Sequence, residues 1–441
     1  MQTNEQRTDA VIIGGGLAGL STAIYLAREG KRVRLLEQSS GLGGRARTRT
    51  QDGFYLNMGP HALYRAGRGV EVLAELGVEP RGALPPLSGA FAVERGRKHT
   101  FPAGMVSMLT TSLFGLSAKL EAGRLLASLG KVDPAPWTDR SAAEWVRSQI
   151  SNESVRDFIY AVFRVATYVN DPERLSAATA LDQVKKALTQ GVLYLHGGWQ
   201  SLIDSLAGVA SREGVMIETG ARVEKVLRDG AGAVSGVRLA AGREIRTPVV
   251  VIASSPALAA RLVEGSERTP LAKWADEAIP VRAACLDIAL SRLPEPRSTF
   301  ALGIDRPLYL SVHSAAARLA PEGGALIQLA KYLAPGDDEP PEVAERDLED
   351  LMDIIQPGWR EALVYRRYLP DMIVMNDLPE ARRNGAEGRP GPEVEGVPGL
   401  FVAGDWVGKE GLLADASLAS SREAARSAVA KLAEASFAAA I

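Results

Sequence analysis

Cysteine is close to absent. The 441 residues hold one, Cys285, so no intrachain disulfide and no cysteine-built metal cluster can form, and a reducing cytoplasm is the expected compartment. The four histidines, His61, His99, His196 and His313, are scattered without metal-ligand spacing, and no metal site is expected. An excess of one charge is also missing. Lys and Arg number 51 against 53 Asp and Glu, a balance that gives no general attraction to nucleic acid. No export signal is expected either, because the uncharged run 10–27 is broken by the successive glycines Gly14, Gly15 and Gly16 and follows no basic segment. With 46% hydrophobic and 24% charged residues at this length, the chain reads as an ordinary globular protein of two domains.

What is present is concentrated near the start. Residues 9–37 read as a short buried strand at Val11, Ile12 and Ile13, a glycine turn, an apolar helix ended by Gly30, and a second strand that stops at the acid Glu37. In such a unit Gly14 allows the tight turn, Gly16 lets a pyrophosphate approach the backbone, and Gly19 lets the helix pack closely on the strand. The helix N-terminus offers free N–H groups to phosphate. A carboxylate about 20 residues on accepts hydrogen bonds from ribose hydroxyls and repels a 2′-phosphate, so Glu37 favours FAD or NAD over NADP. A second glycine pair, Gly43 and Gly44, sits beside Arg45 and offers another phosphate contact.

Taken together, GGGLAG at 14–19, Glu37, GGRART at 43–48 and NMGPHAL at 57–63 resemble the FAD-binding opening of flavin amine oxidases, protoporphyrinogen oxidases and carotenoid desaturases. The resemblance implies an α/β fold, with a Rossmann-like FAD-binding domain of glutathione-reductase type and an inserted α+β substrate domain. It assigns FAD contacts to Gly14, Gly15, Gly16, Leu17, Ala18 and Gly19, to Glu37 and Gln38, and to Gly43, Gly44 and Arg45. Met58, Gly59, Pro60 and His61 would lie against the flavin. The stretch 194–226, with its GGW turn and later Val223, is similar to the family's second FAD segment, where the Val223 backbone would meet the adenine. At 400–428 the match places Gly404 and Asp405 at the ribityl chain and Leu413, Ala414 and Ala416 at a helix start facing the flavin N1 and C2 carbonyl. A helix N-terminus there stabilises the negative charge of reduced flavin.

The chain departs from the family pattern in several places. Ala416 stands where a glycine is usual and Ser420-Ser421 where Ser-Gly is usual. No C-terminal cysteine is available for a thioether-linked flavin, so non-covalent FAD is expected, and a packed His61 is favoured over a covalently linked one. The lysine that amine oxidases place beside flavin N5 has no counterpart in 279–290.

Elsewhere the pattern predicts a hairpin turning at Asp52-Gly53, a short helix ended by Gly77, and a small sheet up to Phe101 with a turn at 94–98. Helices are expected across 104–129, 142–150, 154–167 and 177–189, short strands across 281–334 including 308–313 and 325–332, and an acidic amphipathic helix over 340–356. Trp199 reads as a packing anchor or a flavin contact. The uncharged run 101–118 either covers the substrate domain or touches a bilayer at the periphery. The implied domain plan is discontinuous: FAD-binding parts at 1–75, 195–265 and 385–441, substrate-domain parts at 76–194 and 266–384.

The expected reaction is hydride removal from a C–C or C–N bond, with oxygen or a quinone as final acceptor. The run 308–329 is closer in character to carotenoid desaturases, which points to a small apolar substrate of polyene or porphyrinogen kind. Amine oxidation is one rival. A flavin-containing lipid carrier without turnover is another. No catalytic side chain is named. Two further expectations follow: Glu37 and Arg45 are exposed when FAD is absent, and substrate enters through 104–189 past a face that includes Met105, Met108, Leu113 and Phe114.

Overall fold

The computed structural model describes residues 8–86 and 88–438. Residues 1–7 and 439–441, at the ends of the expected FAD-binding parts, and Leu87, in the expected small sheet, lie outside the described residues.

Two sheets organise the molecule. The first is parallel throughout, in the order Met216–Glu218, Val33–Leu36, Ala10–Ile13, Val249–Ile252, Leu400–Val402. Both central strands are buried along their whole length, which is why they read as continuous apolar runs and not as alternating ones. Helices Leu17–Arg28 and Gln200–Arg212 pack against this sheet with Ala414–Ala438, sharing one core. The expected strand, glycine turn, helix and strand form as one contiguous unit at 10–36, and the sheet around it is completed by strands distant in sequence, Met216–Glu218, Val249–Ile252 and Leu400–Val402.

The second sheet has seven strands, in the order Leu363–Met375, Val281–Leu290, Ala325–Leu333, Leu308–Val312, Phe300–Gly303, Ala90–Glu94, Arg97–Thr100. Its side chains divide by the period of two that a strand imposes. Ala284, Leu286, Ile288 and Leu290 pack on the helix Pro341–Ile355. Ala283, Cys285, Asp287 and Ala289 face the other way, toward the interior of the molecule.

Three sequence expectations change here. The pair 90–94 and 97–100 is not a separate small sheet, because Ala90–Glu94 joins the large one by parallel pairing with Phe300–Gly303. Strand Val281–Leu290 runs for 10 residues, longer than the short strands expected. The 13-residue strand Leu363–Met375 was not expected at all. It carries Arg366, Arg367 and Asp371 and is broken in pattern by Pro370, which an edge strand tolerates because its outer N–H groups need no partner.

The local expectations hold elsewhere. Thr48–Gln51 and Phe54–Asn57 form the hairpin, with Asp52 and Gly53 both at positive φ. Helices occupy Met105–Thr110, Leu116–Leu129, Ala142–Gln149, Glu153–Thr167 and Ala177–Gln190, and they cover the interior side of the large sheet through a shared core with Leu302, Ile304 and Met375. Among the described residues no helix is long and apolar enough to cross a membrane.

Candidate functional site

One cavity of about 1360 Å³ lies between the two sheets and under the helical block. Its first end is the glycine turn. Gly14 takes φ +110°, and a Cβ there would come within 2.5 Å of the Ala253 carbonyl, so no other residue fits. At Gly19 a Cβ would overlap the Gly14 carbonyl at 1.9 Å, which is the close helix–strand packing expected of it. Gly16 differs: an added Cβ would meet nothing nearer than the Gly43 carbonyl at 3.8 Å. The space over Gly16 is thus open, and no side chain caps the helix that begins at Leu17. Uncapped N–H groups beside a bare backbone are what a pyrophosphate requires.

Glu37 sits where the second strand ends, but it is not a free acid. Oε2 accepts from the Gly15 N–H at 2.7 Å, and Oε1 accepts from Ser39 N and Oγ at 2.8 and 2.6 Å. The side chain is buried. The expectation that Glu37 is exposed without FAD is therefore corrected: the carboxylate braces the glycine turn as well as lining the cavity. Arg45 is half-exposed yet also engaged. Its Nη1 donates to Asp405 Oδ2 at 2.7 Å and to the Val374 carbonyl at 2.9 Å. Asp405 is buried and further accepts from Asn376 N and Nδ2. Burial alone would raise its pKa. The Arg45 guanidinium and the Asn376 hydrogen bonds outweigh that and hold it below the usual carboxylate range.

The remaining expected positions divide. Leu17, Ala18, Gln38, Gly43, Gly44, Met58, Pro60, His61, Val223, Gly404, Leu413 and Ala414 line the cavity. Gly19, Gly59 and Ala416 are not among the residues lining it. Gly59 is pressed back on the sheet, where a Cβ would come within 2.9 Å of Cys285 Sγ. Ala416 is buried inside the first turn of the last helix, and the residue ahead of that helix is Leu413, held at φ +56°. Leu413 stands in a conformation that costs a non-glycine residue about 1 kcal/mol or more. Ser420 Oγ ties this helix to the end of the last strand of the parallel sheet, donating to the Gly404 carbonyl and accepting from the Gly404 N–H, at 2.9 and 3.0 Å.

His61 donates from Nδ1 to the Gly59 carbonyl at 3.0 Å, and its ring leans on Trp199 at 5.1 Å between centroids. Burial lowers its pKa, so the ring is neutral at pH 7. Trp199 is buried in the core of the first sheet, as the packing reading expects, and it also lines the cavity.

Beyond His61 the cavity opens into an apolar chamber. Phe101, Leu126, Phe158, Val162, Val165 and Phe300 form much of its wall, with Tyr64, Tyr168, Tyr194 and Tyr309. Among the described residues no lysine lines the cavity, and the acids lining the cavity as a whole are Glu37 at the glycine turn, Glu224 next to Val223, and Asp405 beside Arg45. Lys331, on a neighbouring strand, is turned to Glu339 and Asp347 instead. Tyr194 and Tyr309 share a hydroxyl contact at 3.1 Å, extended by Ser311 and by His313. Sequence reasoning named none of the chamber tyrosines. It also missed Met372 and Asn376, because the strand that carries Met372 and leads into Asn376 had no clear pattern.

Part of the expected entrance face is core. Leu113, 7% exposed, and Met108 and Phe114 pack inside the helical block. Met105 is 83% exposed and Leu109 68%, and Val106, Leu116 and Leu120 are exposed with them. Pro102 and Ala103, just ahead of this apolar knob, line the cavity.

Comparison with known proteins agrees with this geometry. A family model described as flavin containing amine oxidoreductase matches residues 17–283. The chain is 27% identical over 197 residues to coproporphyrinogen III oxidase of Bacillus subtilis, an alignment covering 41% of each. It is 26% identical over 300 residues to the neurosporene-forming phytoene desaturase of Rhodobacter capsulatus, covering 61% of this chain and 56% of that one. The chain thus spans about half or less of the length of these curated relatives. Among solved structures, an oxidoreductase from Methanosarcina mazei superposes with a TM-score of 0.73 at 21% identity, over 96% of this chain and 100% of that one. A putrescine oxidase variant reaches 0.73 at 16% identity, over 96% and 99%. Identities this low establish a shared fold.

Proposed function

This chain belongs to the flavin containing amine oxidoreductase family, and from that premise we propose that it is an oxidoreductase that binds FAD without a covalent link and withdraws hydride from an apolar substrate. The observation that carries the reading is one continuous cavity, which joins a phosphate cradle at Gly14–Ala18 to an apolar chamber. The residues fit the cofactor: open space over Gly16, an uncapped helix start, Glu37 at the end of the second strand, and Arg45 with Asp405 further along. When bound, FAD supplies the hydride acceptor, regenerated by oxygen or a quinone.

The chain's own residues bind, orient and keep dry. The helix at Leu17 and Arg45 hold negative phosphate, and the start of the helix Ala414–Ala438 lends its positive end to the flavin. The phenylalanines and valines of the chamber exclude water and favour a polyene or porphyrinogen over a small cation. A lysine-free wall with no acid at this end supports the same preference over amine oxidation. Four tyrosines are the feature that favours an amine, since aromatic faces attract cations. We place substrate entry beside Pro102 and Ala103, with the exposed knob Met105, Val106, Leu109, Leu116 and Leu120 resting on the surface of a bilayer that holds the substrate. The two sheets, with the segments that build each, would be the cores of the cofactor and substrate domains.

Two measurements test this. Acid or heat precipitation should leave yellow FAD in the supernatant; flavin retained in the pellet rejects the non-covalent link. Anaerobic mixing of the holoprotein with polyenes, porphyrinogens and amines should bleach the flavin with one of the first two. A small polar amine as the best reductant rejects the desaturase-like reading, and tight binding of a lipid without bleaching points to a carrier.

A further inference from the structure

The large sheet carries one polar row on its interior side. Asp287, Gln328 and Arg367 lie on three adjacent strands, with Asp287 paired in register to Gln328 on one side and to Arg367 on the other. Their neighbours on this side are Ala283, Cys285, Ala289, Ala330 and Tyr332. Asp287 and Gln328 are fully buried and Arg367 nearly so. Groups of this kind are costly in such a place unless they are paired. Here they pair with each other: Arg367 Nε donates to Asp287 Oδ2 at 2.8 Å, and Gln328 Nε2 donates to Asp287 Oδ1 at 2.9 Å.

Both outer members also reach the same loop. Arg367 Nη2 donates to the Asn57 carbonyl, and Gln328 Nε2 donates to the Gly59 carbonyl at 3.0 Å. That Gly59 carbonyl is the acceptor for His61 Nδ1. Tyr168 adds a third hold, its hydroxyl donating to the Pro60 carbonyl at 2.8 Å. A row serving only the sheet would not need its donors to converge on the Asn57 and Gly59 carbonyls of a loop whose Met58, Pro60 and His61 line the cavity.

We propose that Gln328 and Arg367, aligned by Asp287, are positioning residues that fix the 57–61 loop and set the His61 imidazole against the redox group in the cavity. This rests on the reading of the cavity as an FAD site. The row touches none of the phosphate-holding residues, so its loss should misplace the loop without emptying the cradle.

The test uses the full chain loaded with FAD. Gln328→Met keeps length and apolar volume but removes both donated bonds. Arg367→Lys keeps the charge beside Asp287 but loses the planar fork that serves two acceptors. For each, FAD per chain, melting temperature, visible circular dichroism of the bound flavin and the 15N signals of His61 are measured. The expected result is unchanged FAD content with altered flavin dichroism and a shifted His61 Nδ1 signal. A lowered melting temperature with wild-type dichroism and wild-type His61 signals overturns the proposal and leaves the row a structural tie. Should Gln328→Met fail to fold, Arg367→Lys decides by the same two signals. A wild-type chain that takes up no FAD rejects the function proposed above, and the His61 signals then decide the role of the row by themselves.

Discussion

At Glu37 one carboxylate braces the glycine turn and lines the cavity, and a substitution there should be read on both the fold and the cofactor. Because Oε2 holds the Gly15 N–H and Oε1 holds Ser39, Glu37→Ala should destabilise the FAD-free protein by about 1.5 to 3 kcal/mol for the charge-assisted bonds lost. It should weaken FAD retention as well. Chemical denaturation of the apoprotein alongside FAD titration separates the two effects, and an apoprotein as stable as wild type would show that the brace is unimportant. Asp415 offers a pH prediction. Its Oδ1 accepts from the Gly69 N–H at 2.9 Å while Oδ2 has no partner, and burial raises its pKa to about 6. For an acid whose folded pKa lies above the unfolded value, the stabilising contribution is in place below about pH 4 and is lost as pH rises through about 6. Asp415→Asn should therefore be more stable than wild type at pH 7.5, by roughly 1 to 3 kcal/mol. The difference should vanish at pH 4, as melting curves at both pH values will show.

Among elements, the paired helices Met105–Thr110 and Leu116–Leu129 illustrate how one uncharged stretch serves two ends. Leu113 lies in the turn between them and points into the core with Phe114 and Phe158, whereas Leu109 points to solvent. Leu113→Glu should accordingly cost several kcal/mol and lower FAD yield through unfolding. Leu109→Glu should leave melting temperature and FAD content near wild type while reducing binding to phospholipid vesicles and raising KM for a vesicle-borne polyene. Equal vesicle binding by Leu109→Glu and wild type would remove the bilayer from the entrance. The edge strand Leu363–Met375 teaches a related point: Arg367 faces inward to Asp287 while Arg366 pairs with Glu345 and Glu349 on the helix Pro341–Ile355. Adjacent arginines with opposite surroundings leave no apolar rhythm to read.

For the molecule as a whole, the cavity is walled by both sheets and by the helical block, so a ligand that fills it couples them. FAD at a hundredfold excess over its Kd should add about 2.7 kcal/mol to stability. In calorimetry the entire transition should move upward as one. Movement of only part of the heat absorption would mean that FAD engages the parallel sheet alone. The same geometry explains what could be read from the chain and what could not. The glycine turn, the Asp52-Gly53 hairpin and most of the helices were legible because each is dictated by contacts within a few residues: a positive φ, a helix N-terminus, a repeat of 3.6. Even the close approach at Gly19 follows from its spacing to Gly14. What the sequence left open depends on residues brought together from afar. The bracing of Gly15 by Glu37, the pairing of Arg45 with Asp405, the inward turn of Leu113 and the row Asp287, Gln328 and Arg367 across three strands exist only once the sheets are assembled. Local propensity sets which elements form, but burial and hydrogen-bond partnership belong to the space between elements, and that space is decided by the tertiary structure alone.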